Sequence, residues 1–150
     1  MIKLDDAIQL AIETHKGQVD KGGNPYILHA LRVLCNVEYR IRHLRVKDRE
    51  SVLCSAVLHD CIEDAKNSDE IRLDIRYKCG DIVEKQVDTL TRRKPESWKN
   101  YISRVENYWA PRIIKIADLE DNLDITRLKE VTEDDSKRNM MYATTLRRLR

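Results

Sequence analysis

Apolar residues recur at spacings of three and four along most of this chain, the pattern of helices that bury one face. Leu4, Ala7, Ile8, Ala11, Ile12 and His15 outline an amphipathic helix over residues 3–16, which Gly17 stops as a C-cap glycine would. After the turn-rich loop Gln18–Asn24, Pro25 suits the first turn of a second helix, running through Tyr26, Leu28, His29, Leu31 and Val33 toward His43. Asp48 reads as the N-cap of a third, continuous helix that carries Val52 to Asp64. Asn67 or Ser68 caps a fourth that ends at Cys79-Gly80, and Ile82, Val83, Val87 and Leu90 share the face of a fifth. Beyond the basic break Arg92-Arg93-Lys94-Pro95, another stripe holds Trp98, Tyr101, Ile102 and Val105. A helix from Ala110 to Ile125 begins near Pro111 and buries Ile113, Ile114, Ile116, Ala117 and Leu119. Thr132 with Asp135 forms a capping arrangement for a last helix that ends in Leu146-Arg147-Arg148-Leu149-Arg150. No stretch alternates with the period of two that a strand requires. The predicted fold is all-α, a compact bundle of about seven or eight helices.

Composition narrows this to one domain over residues 1–150, long enough to bury a substantial core. With four Gly and three Pro, the chain is poor in turn residues, which favours helices joined by short loops. Charged residues make up 36% of the chain but nearly cancel, to a net +2. A general polyanion-binding surface, and hence a nucleic-acid partner, is not expected, while a local basic pocket remains compatible. No apolar run is long enough for a membrane span, and the first residues do not read as a signal peptide, so the expected location is the cytoplasm. Cys35, Cys54, Cys61 and Cys79 show no CxxC pair or zinc-finger spacing and are expected to be reduced.

The candidate chemistry concentrates in Leu58-His59-Asp60-Cys61-Ile62-Glu63-Asp64. On a continuous helix His59 lies beneath Glu63 and Asp60 beneath Asp64. The apolar run from Val52 to Leu58 carries His59 and Asp60 toward the interior, where a carboxylate is costly unless paired or bound to metal. A divalent ion needs several N or O donors from different elements, and His29, His59, Asp60 and Asp118 offer them from three predicted helices. Each alone has a plain structural alternative: an exposed acidic turn, a hydrogen-bonded core histidine at His29, or a buried acid paired with a base at Asp118. Of the four histidines none follows residue 59. His15 reads as a helix-end histidine and His43 as a surface one. Tyr26 and Tyr101 either border a ligand or fill the core. Arg92, Arg93 and Lys94 either attract phosphates at a pocket mouth or form a solvated turn. The basic C-terminus reads as an exposed helix end or a contact in a homo-oligomer.

Four stretches, HKGQVDKGGNPYILHALRV from His15, LHDCIEDA from Leu58, CGDIVEKQVDTLT from Cys79 and IKIADLEDNL from Ile114, give the order H…HDxxED…D. This order resembles the HD superfamily of metal-dependent phosphohydrolases, specifically the RelA/SpoT-type (p)ppGpp hydrolase branch and its small stand-alone relatives, over roughly residues 5–128. The resemblance implies one Mn²⁺ held by His29, His59, Asp60 and Asp118, catalysis supported by Glu63 and Asp64, and a sugar contact from Asn122. It implies release of pyrophosphate from the 3′ position of a guanosine tetraphosphate, with Lys21, and also Lys115, placed to neutralise phosphates. Where the family has Arg or Lys before the lysine matching Lys21, this chain has Asp20, which is expected to repel an anionic substrate and leaves room for a different nucleotide phosphate. A non-catalytic nucleotide-binding module is the reading from another class, and the intact ligand set and both acids weigh against it.

Overall fold

The hub of the fold is α3 (Val46–Val57), which packs against α1 (Leu4–Thr14), α2 (Ile27–Ile41), α6 (Asp81–Leu90) and α8 (Trp109–Asn122) in a computed structural model that describes residues 4–150. Its second half, Val52 and Cys54 to Val57, is buried without a solvent face, and the small side chains Cys54, Ser55 and Ala56 let neighbouring helices close in. The other elements are α4 (Cys61–Asp64), α5 (Ser68–Cys79), α7 (Trp98–Glu106), a 3-10 turn at Ile125–Arg127, and α9 (Glu133–Leu149). Among the described residues there is no strand; an isolated bridge between Val19 and Pro25 closes the first loop. The all-α expectation holds, with nine α-helices among the described residues, of which α4 is a single turn. No helix among the described residues is long and apolar enough to cross a membrane.

Four local expectations change. The third helix does not run unbroken to Asp64: α3 stops at Val57, and residues 58–60 form a turn before α4. Leu58 and Asp60 have ψ near zero (1° and −3°), and the Cys61 N–H bonds the Leu58 carbonyl at 2.9 Å, a tightened i−3 closure instead of the α-helical i−4 bond. Asp48 is not the N-cap; Arg45 is, and Asp48 lies in the first turn, where its carboxylate accepts from Arg45 at 2.7 Å. Pro25 precedes α2, whose N-cap is Tyr26. The C-terminal helix end is exposed on its arginine side only: Leu146 and Leu149 are buried, while Arg148 pairs with Glu106 and Arg150 reaches Glu120 at 2.7 Å.

Other terminators agree with the sequence. Gly17, at φ +79°, takes the left-handed conformation that ends the turn after α1. The Asn67 side chain caps α5, and Thr132 and Asp135 form a reciprocal capping box at α9. The four cysteines are free thiols, three of them buried.

Candidate metal centre and its pocket

Because α2, α3 and α8 pack on one another, the start of α2, the turn after α3 and the last turns of α8 meet at one place. There His29, His59, Asp60 and Asp118 present donor atoms that all lie within 4.8 Å of one another. The four expected ligands are thus brought together, with both imidazoles and Asp118 buried and Asp60 half-buried.

Hydrogen bonds fix which nitrogen faces the cluster. The Ala56 carbonyl can only accept, so His59 donates to it from Nδ1 at 2.8 Å. His29 likewise donates from Nδ1 to Asp121 Oδ2 at 2.6 Å. Both Nε2 atoms therefore point inward, 3.3 Å apart. Asp118 Oδ1 lies 3.1 Å from His29 Nε2, and Asp60 Oδ2 lies 2.9 Å from His59 Nε2. Two neutral imidazoles would aim lone pairs at each other beside two carboxylates, an arrangement that a buried site tolerates only with positive charge between them. Burial pushes the His59 pKa down, but Asp60 and Asp118 outweigh it and hold the ring well above its ordinary value. For His29 burial also opposes the charge, and hydrogen bonds to Asp118 and Asp121 turn the balance upward. A proton or a cation satisfies this geometry. Two imidazoles with two carboxylates suit a borderline or hard divalent ion, and donor separations near 3 Å match ligands around one ion with bonds of about 2.0–2.2 Å. The residues present fit a single divalent metal.

Supporting contacts hold each donor. The break after α3 frees the Ala56 carbonyl, which the His59 ring then occupies, so the loss of one backbone bond orients a candidate ligand. Tyr26 donates its hydroxyl to Asp60 Oδ2 at 2.5 Å. Lys115 Nζ lies 2.7 Å from Asp118 Oδ2, and Asn122 donates to Asp118 Oδ1 at 2.7 Å. The Lys115 ammonium also sits 5.5 Å and 5.3 Å from the rings of Trp98 and Tyr101. Asp118 is held well below the carboxylate range: burial opposes ionisation, and Lys115 and the two histidines overcome it.

His59 lies buried behind the other three members of the cluster, His29, Asp60 and Asp118, which line a cavity of about 430 Å³. Glu63 and Asp64 line it, carried there by α4 rather than by an extension of α3. Burial, and then the charge of Asp60, raises the pKa of Glu63; burial also raises that of Asp64, against a hydrogen bond from Gln18. Lys21, Asn122, Tyr26, Tyr101, Arg92 and Lys115 line the cavity as well, whereas Arg93 turns away to Asp88. Tyr101 is a core residue whose hydroxyl donates to the Leu90 carbonyl. His15 is buried outside the cavity, hydrogen-bonded to Gln18, which in turn donates to Asp64 at 2.9 Å. His43 is exposed, as expected.

Asp20 does not act as a free carboxylate facing an incoming anion. Its Oδ1 accepts from the backbone N–H groups of Gly22 and Asn24, both at 2.9 Å, and its Oδ2 lies 3.4 Å from the Arg127 guanidinium. The charge is spent on shaping the loop and pairing with a base that itself lines the cavity. Gly22 is forced there by space: a Cβ would lie 2.3 Å from the Arg127 carbonyl oxygen. Sequence reasoning missed Arg127, Arg138 and Tyr142, which lie beyond the quoted motifs yet line the cavity, and Asp121, which lies inside one. The spacing of Asp121, three residues after Asp118, was a signal available for it.

No family model matches the chain. A curated guanosine-3′,5′-bis(diphosphate) 3′-pyrophosphohydrolase from Aquifex aeolicus is 29% identical over 95% of this chain and 20% of its own length. A GTP pyrophosphokinase from Streptomyces coelicolor is 32% identical over 60% of this chain and 10% of its own length. The chain thus spans a fifth or less of the curated relatives it matches. Among solved structures, a metazoan ortholog of SpoT, which hydrolyzes ppGpp and plays a role in starvation responses, superposes with a TM-score of 0.77 at 23% identity, covering 98% of this chain and 85% of that one. The expected likeness to the RelA/SpoT hydrolases and to their all-α fold is borne out.

Proposed function

We propose that this protein is a metal-dependent phosphohydrolase that releases pyrophosphate from the 3′ position of guanosine-3′,5′-bis(diphosphate), with one Mn²⁺ held by His29, His59, Asp60 and Asp118. The observation that carries this reading is the pair of facing imidazole Nε2 atoms, 3.3 Å apart between two carboxylates, beside a cavity lined by both acids and bases. The likeness to a ppGpp 3′-pyrophosphohydrolase and to a ppGpp-hydrolysing SpoT ortholog supports the choice of substrate. A divalent ion held by these four residues would supply the charge to polarise a phosphoryl oxygen and to acidify a water molecule.

The chain's own side chains do the rest. Glu63 and Asp64, whose pKa values are raised, take the proton from the attacking water and return one to the departing ribose 3′ oxygen. One P–O bond breaks as another forms with the water oxygen, and pyrophosphate leaves. Lys21 and Arg92 neutralise phosphate charge, and Asn122 meets the sugar, all three from the cavity lining. Lys115 holds Asp118 ionised and in place.

The test is a panel of nucleotides, ppGpp among them, incubated with purified Mn²⁺-loaded protein and assayed for phosphate and pyrophosphate. Pyrophosphate release from ppGpp, abolished in Asp118→Ala protein and by chelation, is the expected result. Turnover of another nucleotide with ppGpp untouched would move the substrate assignment while leaving the metal centre. Full activity in His59→Ala protein would overturn the metal reading.

A further inference from the structure

One turn of α8 holds the His29 ring from both nitrogens. Asp118 Oδ1 stands 3.1 Å from Nε2, and Asp121 Oδ2 stands 2.6 Å from Nδ1. Only the first of these carboxylates faces the cluster. Asp121 is itself firmly held: Arg32 donates to its Oδ1 from Nε at 2.7 Å and to its Oδ2 from Nη2 at 3.2 Å. Arg127 approaches the same Oδ2 at 3.2 Å and also donates to the Asp121 backbone carbonyl. Two guanidinium groups from different elements thus lock one carboxylate, and that carboxylate grips one imidazole nitrogen. This positive charge is committed to a residue that does not itself line the cavity.

We propose that Asp121 is a positioning residue for the metal centre, fixing the His29 ring with its proton on Nδ1 so that the Nε2 lone pair faces the ion. The proposal rests on the metal reading given above. A carboxylate on the remote nitrogen does three things for a ligand histidine. It selects the tautomer, it fixes the rotation of the ring, and it makes the free nitrogen a better electron donor. Arg32 and Arg127 matter because a carboxylate free to rotate would hold the ring less well. Since Arg127 also pairs with Asp20, the loop that carries Lys21 is tied to the same carboxylate.

The experiment measures binding of Mn²⁺ alone, without nucleotide, from the free-ion electron paramagnetic resonance signal during titration. Wild-type, Asp121→Ala, Asp121→Asn, His29→Ala and the His29→Ala/Asp121→Ala double variant are compared. Loss of Asp121 should weaken Mn²⁺ binding roughly 10- to 100-fold. Asp121→Asn, which keeps an acceptor oxygen for the ring and the shape of the side chain, should recover part of the loss. In the His29→Ala background, removal of Asp121 should cost little more, because its effect passes through that ring; a merely structural role would cost the same in both backgrounds. Equal losses in the two backgrounds, unchanged binding in Asp121→Ala, or a wild-type protein that binds no Mn²⁺ would each overturn the proposal. Since no substrate is present, a protein that passes this test and fails on ppGpp separates the positioning role from the substrate assignment.

Discussion

The Asp20 carboxylate lies 3.4 Å from the Arg127 guanidinium, joining the first loop to the segment that follows α8. A position that reads as an acid placed against an anionic ligand is instead neutralised from across the cavity, and its other oxygen staples two backbone N–H groups of its own loop. Asp20→Asn keeps the staple and removes the charge; it should alter KM for the substrate only a few-fold. Asp20→Ala removes both and should raise KM by about 10-fold, the equivalent of one lost hydrogen-bonded contact of about 1.4 kcal/mol. Were Asp20 a repelling charge, Asp20→Asn would lower KM, and steady-state kinetics separates the two.

Tyr26 and Asp60 are joined by a 2.5 Å hydrogen bond that leaves Asp60 Oδ2 turned toward the two imidazoles. Tyr26→Phe keeps the ring and removes the donor. Mn²⁺ affinity should fall roughly 10-fold with little change in melting temperature, as expected for a support behind a ligand. Titration calorimetry beside thermal melts distinguishes this from a general loosening.

Lys115 and Asp118 form a buried ion pair with side-chain exposures of 12% and 4%. Lys115→Met leaves the Asp118 charge buried without its partner and should destabilise the metal-free protein by about 3–5 kcal/mol. Saturating Mn²⁺ should recover part of that loss, since the ion supplies positive charge at the same carboxylate. Urea denaturation with and without metal reads both values.

Glu63 carries a cost to the fold. Its folded-state pKa is raised, so below the ordinary carboxylate value both folded and unfolded chains are protonated and nothing is lost. As pH rises past that value the unfolded chain ionises first and stability falls; the loss is complete above the folded pKa. Glu63→Gln should therefore melt higher than wild-type at neutral pH in chelator, melt alike at pH values below the carboxylate range, and be catalytically impaired throughout. A lower neutral melting point would contradict the assigned shift.

Most helices and the candidate metal-binding cluster were legible in the sequence, the helices through regular spacing and the cluster through polar donors set among apolar residues. Apolar stripes placed α1, α2 and α6 to α8, capping residues placed α5 and α9, and the donors of His29, His59, Asp60 and Asp118 stood out against apolar neighbours. The break at Leu58–Asp60 was not legible, because neither Gly nor Pro marks it; it is stabilised by the His59 ring on the Ala56 carbonyl, a contact that exists only after folding. Arg127, Arg138 and Tyr142 escaped for a similar reason. They reach the cavity from segments distant in sequence, with no periodic pattern to announce them. The fate of Asp20 depended on a partner more than a hundred residues away, at Arg127.

The absence of a side chain at Gly22 makes the first loop and the segment after α8 parts of one moulding. With the Arg127 carbonyl 2.3 Å from where a Cβ would sit, and Arg127 itself engaged with Asp20, neither segment can be recut alone. Anyone transplanting a loop into this scaffold to change what it accepts has to exchange residues 18–25 and 124–128 together, as one cassette split across the chain.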